Sequence, residues 1–363
     1  MIFYLVLSVM RKVDQLFMQR ALQLAGYGKP SVTPNPMVGC VIVHEGKIIG
    51  EGWHQKAGEP HAEVLAIRSV KNQGLLKSSI AYVTLEPCAH YGKTPPCAEL
   101  LVQKEIKKVV IGAVDSNPLV AGKGIEILKN AGIKVESGVL EQECLAQNKP
   151  FFTFMQKNRP YIILKWAQTA DGFIARDNFN SKWISNTLSR QLVHKWRTEI
   201  DAILIGKNTA KYDNPTLTAR DWPGKNPIRF VIDHQLALDK DLNVFDGQQK
   251  TIVFHSKAEQ IKRQGLEMIE LEEEDFLTDM IKYLHQKKIQ SVLVEGGAQT
   301  IQSFINAGLW DEARIFTAPI IFEKGIKVAE LKNHQLVSQE NIQDKNQTDV
   351  LSIYYNSSNN IKS

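Results

Sequence analysis

His61-Ala-Glu63, followed by Pro87-Cys88 and then Cys97, is the set of residues in this sequence best suited to chemistry. One imidazole and two thiolates are three borderline or soft donors. A catalytic zinc takes that number when its fourth position stays open for water. The ion then lowers the pKa of that water, so that it can attack near neutral pH. A carboxylate two residues beyond the ligating histidine, at the start of the same helix, can reach the water without binding metal. It can pass a proton from the water to a leaving amine. His-x-Glu with Pro-Cys-x-x-Cys is the pattern of zinc deaminases that act on nucleobases. Here eight residues, rather than two, separate Cys88 from Cys97. Spacing alone therefore leaves two buried thiols as the competing reading. It also leaves His90 as either a fourth ligand, which a structural zinc would want, or part of a pocket wall. Cys40 falls within a strand-like run and reads as core, and Cys144 has no chemical partner in view.

The second half offers a weaker local signal. No Gly-x-Gly-x-x-Gly follows a strand, which argues against a Rossmann dinucleotide site. Val292 to Thr300 reads instead as a strand, a Gly296-Gly297 turn and a helix start. Paired glycines let backbone amides approach a phosphate, and a helix N-terminus favours the anion. A plain strand–turn–helix connection fits the same residues.

These groups need a scaffold, and 363 residues suffice for two domains. In the first half, apolar residues at helical spacing from Val13 to Ala25 precede the β-branched run Val38–Val43 and a Glu45-Gly46 turn into Lys47–Gly50. Helical patterns at His61–Arg68, near Ala98–Val102 and at Gly124–Ala131 alternate with strand patterns at Ala81–Leu85 and Val109–Ala113. This alternation predicts an α/β layered domain. A single helical stretch from Glu141 to Met155 runs into Lys157-Asn-Arg-Pro160, where the chain passes between domains; residues 12–150 are allotted to the first and 151–363 to the second. The second repeats the alternation, with strands at Tyr161–Lys165, Ala202–Gly206, Ile228–Asp233, Thr251–Phe254, Ser291–Glu295, Arg314–Thr317 and Val350–Tyr354, and helices at Thr187–Thr198, Phe276–Gln286 and Ala298–Ala307.

Residues 1–150 carry 17 basic and 13 acidic side chains, and the whole chain is only +5. That is no basic excess of the kind a dedicated nucleic-acid binder needs, so a small anionic ligand is the better partner. No apolar run reaches the roughly 18–20 residues that span a bilayer. Met1–Met10 makes a poor signal peptide, lacking a basic start and a small-residue cleavage site, and residues 1–11 read as an extension outside the fold. Four cysteines without a secretory signal favour metal binding or burial over disulfides, and a cytoplasmic protein.

Pro87-Cys-Ala-His-Tyr-Gly-Lys-Thr-Pro-Pro-Cys97 resembles the bifunctional deaminase–reductase family of bacterial riboflavin biosynthesis, in which a longer insert between the cysteines is normal. Thr33–Gly39, Gly58–Glu63 and Val83–Cys88 match the same family, as do Lys165–Gly172, Ser181–Ser185, Ala202–Thr209 and Asp213–Arg220. The likeness runs from about Val13 to Tyr355.

By that resemblance the first domain is a cytidine-deaminase-like three-layer α/β/α unit and the second a dihydrofolate-reductase-like α/β unit using NADPH. His61, Cys88 and Cys97 would bind one zinc, Glu63 would shuttle protons, and Asn35 would read a pyrimidine edge. His54, Lys93 and Asn117 would meet the substrate's phosphate or ribose. Ala167, Trp183, Thr209, Asp213 and the turn Gly296, Gly297, Ala298, Gln299, Thr300 would line the cofactor. Ser181, Arg197, Leu217, Arg220 and Glu295 would hold the reductase substrate, the two arginines gripping a phosphate in bidentate fashion. Lys165 and Asp171 would handle charge or protons near the nicotinamide. The implied substrate is a small phosphorylated pyrimidine, with a homo-oligomeric assembly and neither nucleic acid nor membrane as partner. Two rivals are weaker. A nucleic-acid deaminase would need a positive groove with stacking aromatics, and a dead, zinc-stabilised binding module would have no use for a free carboxylate at position 63.

Overall fold

The structure is a computed structural model that describes residues 2–29, 31–91, 95–115, 121–257 and 266–359, with side chains from residue 12 onward. The chain divides into two compact units, 1–157 and 158–362.

The first unit runs α1 (Ile2–Gly26), β1 (Gly39–His44), β2 (Lys47–Trp53), α2 (Ala62–Ser69), β3 (Ile80–Leu85), α3 (Cys97–Gln103), β4 (Lys108–Ala113), α4 (Lys123–Asn130), β5 (Lys134–Ser137), α5 (Glu141–Gln147) and α6 (Lys149–Lys157). Its sheet has the order β2-β1-β3-β4-β5. β1 is antiparallel to both its neighbours, while β3, β4 and β5 are parallel. Glu45 and Gly46 both have positive φ, 48° and 73°, which is the twist a two-residue hairpin turn requires. Because side chains alternate along a strand, Cys40 and Ile42 pack with Ala62, Ala66, Val83 and Leu101 beneath α2 and α3. α1 and α5 touch each other and the sheet. Helix α2 lies very close to β2: a Cβ on Gly52 would come within 2.4 Å of the Ala66 nitrogen and 2.6 Å of the Ala62 oxygen. No side chain fits there, so glycine sets the height of α2 over the sheet.

One sequence expectation is revised here. The helix expected from 141 to 155 is two helices that break at Asn148. Asn148 Oδ1 accepts from the Met37 nitrogen at 2.8 Å and its Nδ2 donates to the Met37 oxygen at 2.9 Å. Pro150, with no N–H, suits the first turn of the new helix. The compact first unit runs to Lys157. Residues 2–11, read as an extension, continue as helix into α1.

Glu86, 4% exposed, follows β3 directly. Its carboxylate accepts from the backbone nitrogens of Asp115, Gly122, Gly124 and Ile125 at 2.9–3.3 Å. It thereby caps α4 from outside the helix.

The second unit runs β6 (Tyr161–Thr169), β7 (Phe173–Ala175), α7 (Thr187–Thr198), β8 (Ala202–Gly206), α8 (Lys207–Asp213), β9 (Ile228–Ile232), β10 (Thr251–His255), β11 (Leu266–Glu270), α9 (Phe276–Gln286), β12 (Ser291–Val294), α10 (Ala298–Asn306), β13 (Glu312–Ala318), β14 (Ile326–Lys327), β15 (His334–Gln343) and β16 (Thr348–Asn356). The large sheet has the order β11-β10-β9-β8-β12-β6-β13-β16-β15. It is parallel from β11 to β13, and β16 and β15 are added antiparallel. Ile162 and Leu164 face a core with Phe304 and Met280, whereas Ile163 faces one with Val193 and Trp196, so the sheet is buried on both sides. Among the described residues no helix is long and apolar enough to cross a membrane.

Arg229, on β9, is fully buried. It donates to Thr251 Oγ1, to Asp246 Oδ1 and to the carbonyls of Thr216, Asn243 and Gln249. Replacing it strips a buried charge from its partners, so Arg229→Met is expected to cost about 3–5 kcal/mol. Urea unfolding followed by tryptophan fluorescence measures this, and a loss below about 1 kcal/mol would show that the 214–250 region does not depend on the arginine.

Candidate active sites

In the first unit, three segments bring the donors together. His61 is the N-cap of α2, Cys97 is the first residue of α3, and Cys88 lies on the loop after β3. His61 Nδ1 is 3.5 Å from Cys88 Sγ and 3.3 Å from Cys97 Sγ, and the three donor atoms lie within 4.8 Å of one another. A nitrogen and a sulfur on one tetrahedral zinc, at about 2.0 and 2.3 Å, stand roughly 3.5 Å apart. The cluster fits the ion, with Nδ1 as the imidazole donor. His90 is exposed and outside the group. Hydrogen bonding from Cys97 holds the Cys88 thiol down at about 4, while the same contact and burial push the Cys97 thiol up. Two sulfurs this close cannot both ionise unless a cation offsets them. That is an electrostatic reason for a metal here.

Glu63, in the first turn of α2, is 3% exposed. Burial, and then the Cys88 sulfur, raise its carboxyl to about 7, a value suited to proton exchange at neutral pH. Cys40 and Cys144 are buried, and burial followed by the charge of Glu63 pushes the Cys40 thiol well up.

Asn35 is half-buried on the Pro34–Pro36 turn. His54, expected to meet phosphate or ribose, is 2% exposed. Its Nδ1 lies 3.2 Å from the Pro60 oxygen and its Nε2 3.0 Å from Asn35 Nδ2. Both ring nitrogens thus lie within hydrogen-bond distance of protein atoms. Lys93 and Asn117 lie outside the described residues.

In the second unit a cleft of about 1320 Å³ is lined by the ends of β8 and β12 and the middle of β6. Parallel sheets take ligands at the carboxyl ends of their strands. Ala167, Trp183, Thr209 and Asp213 line it, as does the whole turn from Gly296 through Gly297, Ala298 and Gln299 to Thr300. Ser181, Arg197, Leu217, Arg220, Glu295 and Lys165 line it too. The turn has a packing role of its own. A Cβ on Gly206 would lie 2.3 Å from Thr300 Oγ1, and one on Gly296 would lie 2.8 Å from Thr300 Cβ. Ser181 Oγ donates to Asp213 Oδ1 at 2.8 Å, tying a residue expected on the substrate side to one expected on the cofactor side.

Arg197 is paired within the cleft wall. Its Nε and Nη2 donate to the two oxygens of Glu295 at 2.8 and 2.9 Å, and its Nη1 to the Thr218 oxygen. The fork meant for a phosphate is filled by a carboxylate. Burial opposes ionisation of Glu295, but Arg197 and Lys165, the latter 3.6 Å away, overcome it and hold the carboxyl at about 2. Burial lowers the pKa of Lys165 despite Glu295. Arg220, by contrast, has 58% of its side chain exposed; it donates to Thr216 Oγ1 and lies 3.9 Å from Asp221 Oδ2. Asp171 is outside the cleft lining, and its carboxylate accepts from Thr169 Oγ1 and from the backbone of Phe322 and Glu323. Sequence reading passed over His194, which lines the cleft between Thr218 O at 2.9 Å and Asp221 Oδ2 at 3.0 Å. Its place one helical turn before Arg197 is a signal the sequence carries.

Residues 11–113 match the family described as the cytidine and deoxycytidylate deaminase zinc-binding region, and residues 160–345 match the RibD C-terminal domain. The chain is 42% identical over 329 residues to the riboflavin biosynthesis protein RibD of Aquifex aeolicus (strain VF5), covering 89% of this chain and 92% of that protein. The chain belongs to the RibD family. RibD of Bacillus amyloliquefaciens is 40% identical over 85% of each chain. Among solved structures, a diaminohydroxyphosphoribosylaminopyrimidine deaminase/5-amino-6-(5-phosphoribosylamino)uracil reductase of Thermotoga maritima superposes with a TM-score of 0.88 at 37% identity, covering 95% of this chain and 99% of that one. RibD of Acinetobacter baumannii gives 0.84 at 37% identity over the same shares.

Purified protein should carry about one zinc per chain. Cys88→Ala or Cys97→Ala should lose it, since each removes one of three ligands, whereas Cys40→Ala and Cys144→Ala should keep it. Metal analysis that finds full occupancy in both of the first two variants would overturn the cluster.

Proposed function

We propose that the first unit hydrolytically deaminates 2,5-diamino-6-(5-phosphoribosylamino)pyrimidin-4-one. In this reading the second unit then reduces the ribosyl side chain with NADPH, giving 5-amino-6-(5-phosphoribitylamino)uracil. The observation that carries the reading is the buried carboxylate of Glu63 beside a three-donor cluster, in a chain whose second half offers a separate cleft with an exposed arginine. The printed activities of the solved relative supply the substrate. A cytoplasmic, homo-oligomeric enzyme acting on a small phosphorylated pyrimidine completes the reading.

Bound at His61, Cys88 and Cys97, zinc would supply Lewis-acid activation of a water. Glu63 takes a proton from the attacking water and returns it to the departing amine, so that water enters and ammonia leaves. Asn35 holds the pyrimidine edge. In the second unit Ala167, Trp183, Thr209, Asp213 and the 296–300 turn would hold NADPH, which would supply the hydride for reducing the sugar. Ser181 and Leu217 line the substrate side, and Arg220 binds the phosphate. Arg197 fixes Glu295 and Lys165 as a rigid charged array, from which Lys165 can give a proton.

The test is to mix zinc-loaded protein with the diaminopyrimidinone phosphate, with and without NADPH. Ammonia release should need only the first, and NADPH oxidation should follow deamination. No ammonia release from the loaded protein sinks the reading. Glu63→Gln should keep zinc and lose deamination by roughly 10²–10⁴-fold, with reduction of deaminated substrate intact; normal deamination would remove Glu63 from the proton path. Arg220→Ala should raise the reductase KM for substrate about ten- to a hundredfold, the worth of one charge-assisted contact, and leave the KM for NADPH nearly unchanged. Lysine there should recover part of the loss. A shift confined to NADPH would exchange the two subsites.

A further inference from the structure

We propose that His54 is a positioning residue that locks the Asn35 amide, so that its carbonyl oxygen is turned to the ligand and demands an N–H donor from the pyrimidine. The inference rests on the deaminase reading above and deepens it.

The argument is a chain of obligatory roles. The Pro60 oxygen can only accept, so the His54 Nδ1 that faces it at 3.2 Å carries the ring proton. A neutral imidazole has one N–H, so Nε2 is an acceptor. The Asn35 group 3.0 Å from Nε2 must then be the NH2 and not the oxygen. The His54 ring is buried, packed edge-on to His61 at 5.4 Å between centroids, and its backbone nitrogen is tied to the Val38 oxygen at 2.9 Å.

The Asn35 backbone is constrained too. Its nitrogen donates to the Val32 oxygen at 2.8 Å, and prolines flank it on both sides. Rotation of the amide is the remaining freedom, and His54 removes it. The oxygen, Oδ1, has no hydrogen-bond partner among the described residues, which leaves a fixed acceptor half-exposed. A ring N–H or an amine of an aminopyrimidine satisfies it. A bare ring nitrogen or a carbonyl in that place meets lone pair with lone pair, and sites built for one hydrogen-bond polarity reject the other strongly.

The side chains of Asn and Gln separate the two halves of the lock, because their terminal groups reach roughly where Nδ1 and Nε2 of a histidine lie. His54→Gln can still accept from Asn35, whereas His54→Asn can serve only Pro60. With zinc-loaded, full-length enzyme, His54→Ala and His54→Asn should lower deaminase kcat/KM about ten- to a hundredfold, and His54→Gln should recover most of it. The loss should be equal for substrate with and without its 5′-phosphate. It should vanish in an Asn35→Ala background, because the histidine acts through the asparagine. Zinc content and reductase rate should hold in every variant. Long-range proton–nitrogen correlation spectra of the unmutated enzyme should show His54 as the Nδ1–H tautomer. The proposal is overturned by an Nε2–H tautomer, by asparagine rescuing as well as glutamine, by losses that add to those of Asn35→Ala, or by a loss confined to the phosphorylated substrate. The spectrum reads the lock even if the substrate assignment fails, and ammonia release by the unmutated enzyme reads the assignment alone.

Discussion

The carboxylate of Glu86 is the constraint on which the first unit's chemistry rests. Four backbone amides converge on it, from the end of β4 and from the start of α4. Each of those amides, if stripped of its acceptor, would cost about 1–3 kcal/mol. Two residues further on, Cys88 inherits that rigidity, because Pro87 lies between them and its carbonyl is pressed against Gly124, where a Cβ would approach within 2.0 Å. Cys88 in turn receives the Cys97 backbone N–H at 3.3 Å and gives its own carbonyl to the Ala98 N–H. The segment that carries one thiolate is thus bound to the helix start that carries the other.

The second unit solves a comparable problem with charge instead of backbone. Arg197, Glu295 and Lys165 come from α7, the end of β12 and the middle of β6. Two cations flank one carboxylate inside the cleft, and Asp213 acts on Lys165 from the same wall. A buried, paired set of this kind contributes little net stability, but it fixes the walls into which a ligand must fit.

Much of this was legible because residue type alone constrained it. The apolar runs at β1, β3, β4 and β8 are buried strands, and His61, Glu63, Cys88 and Cys97 are marked by chemistry that few other uses would require. What stayed hidden depends on long-range partners. Glu295 lies 98 residues from the arginine whose fork it fills, and no local pattern announces that. His54 looks the same in sequence whether it faces a ligand or a carbonyl. β15 was missed because it is exposed along most of its length, so no alternation marks it. The break at Asn148 could have been read, since Pro150 stands just beyond it.

Asn148 has a consequence for dividing this chain into working parts. Both backbone groups of Met37 pair with its side chain, as they would with a neighbouring strand. The turn bearing Asn35 is therefore stitched to a residue over a hundred positions later. A fragment cut at Gln147, where α5 ends, would keep every zinc ligand yet leave that turn untethered on one side. The smallest autonomous deaminase is set by this stitch and not by the catalytic residues.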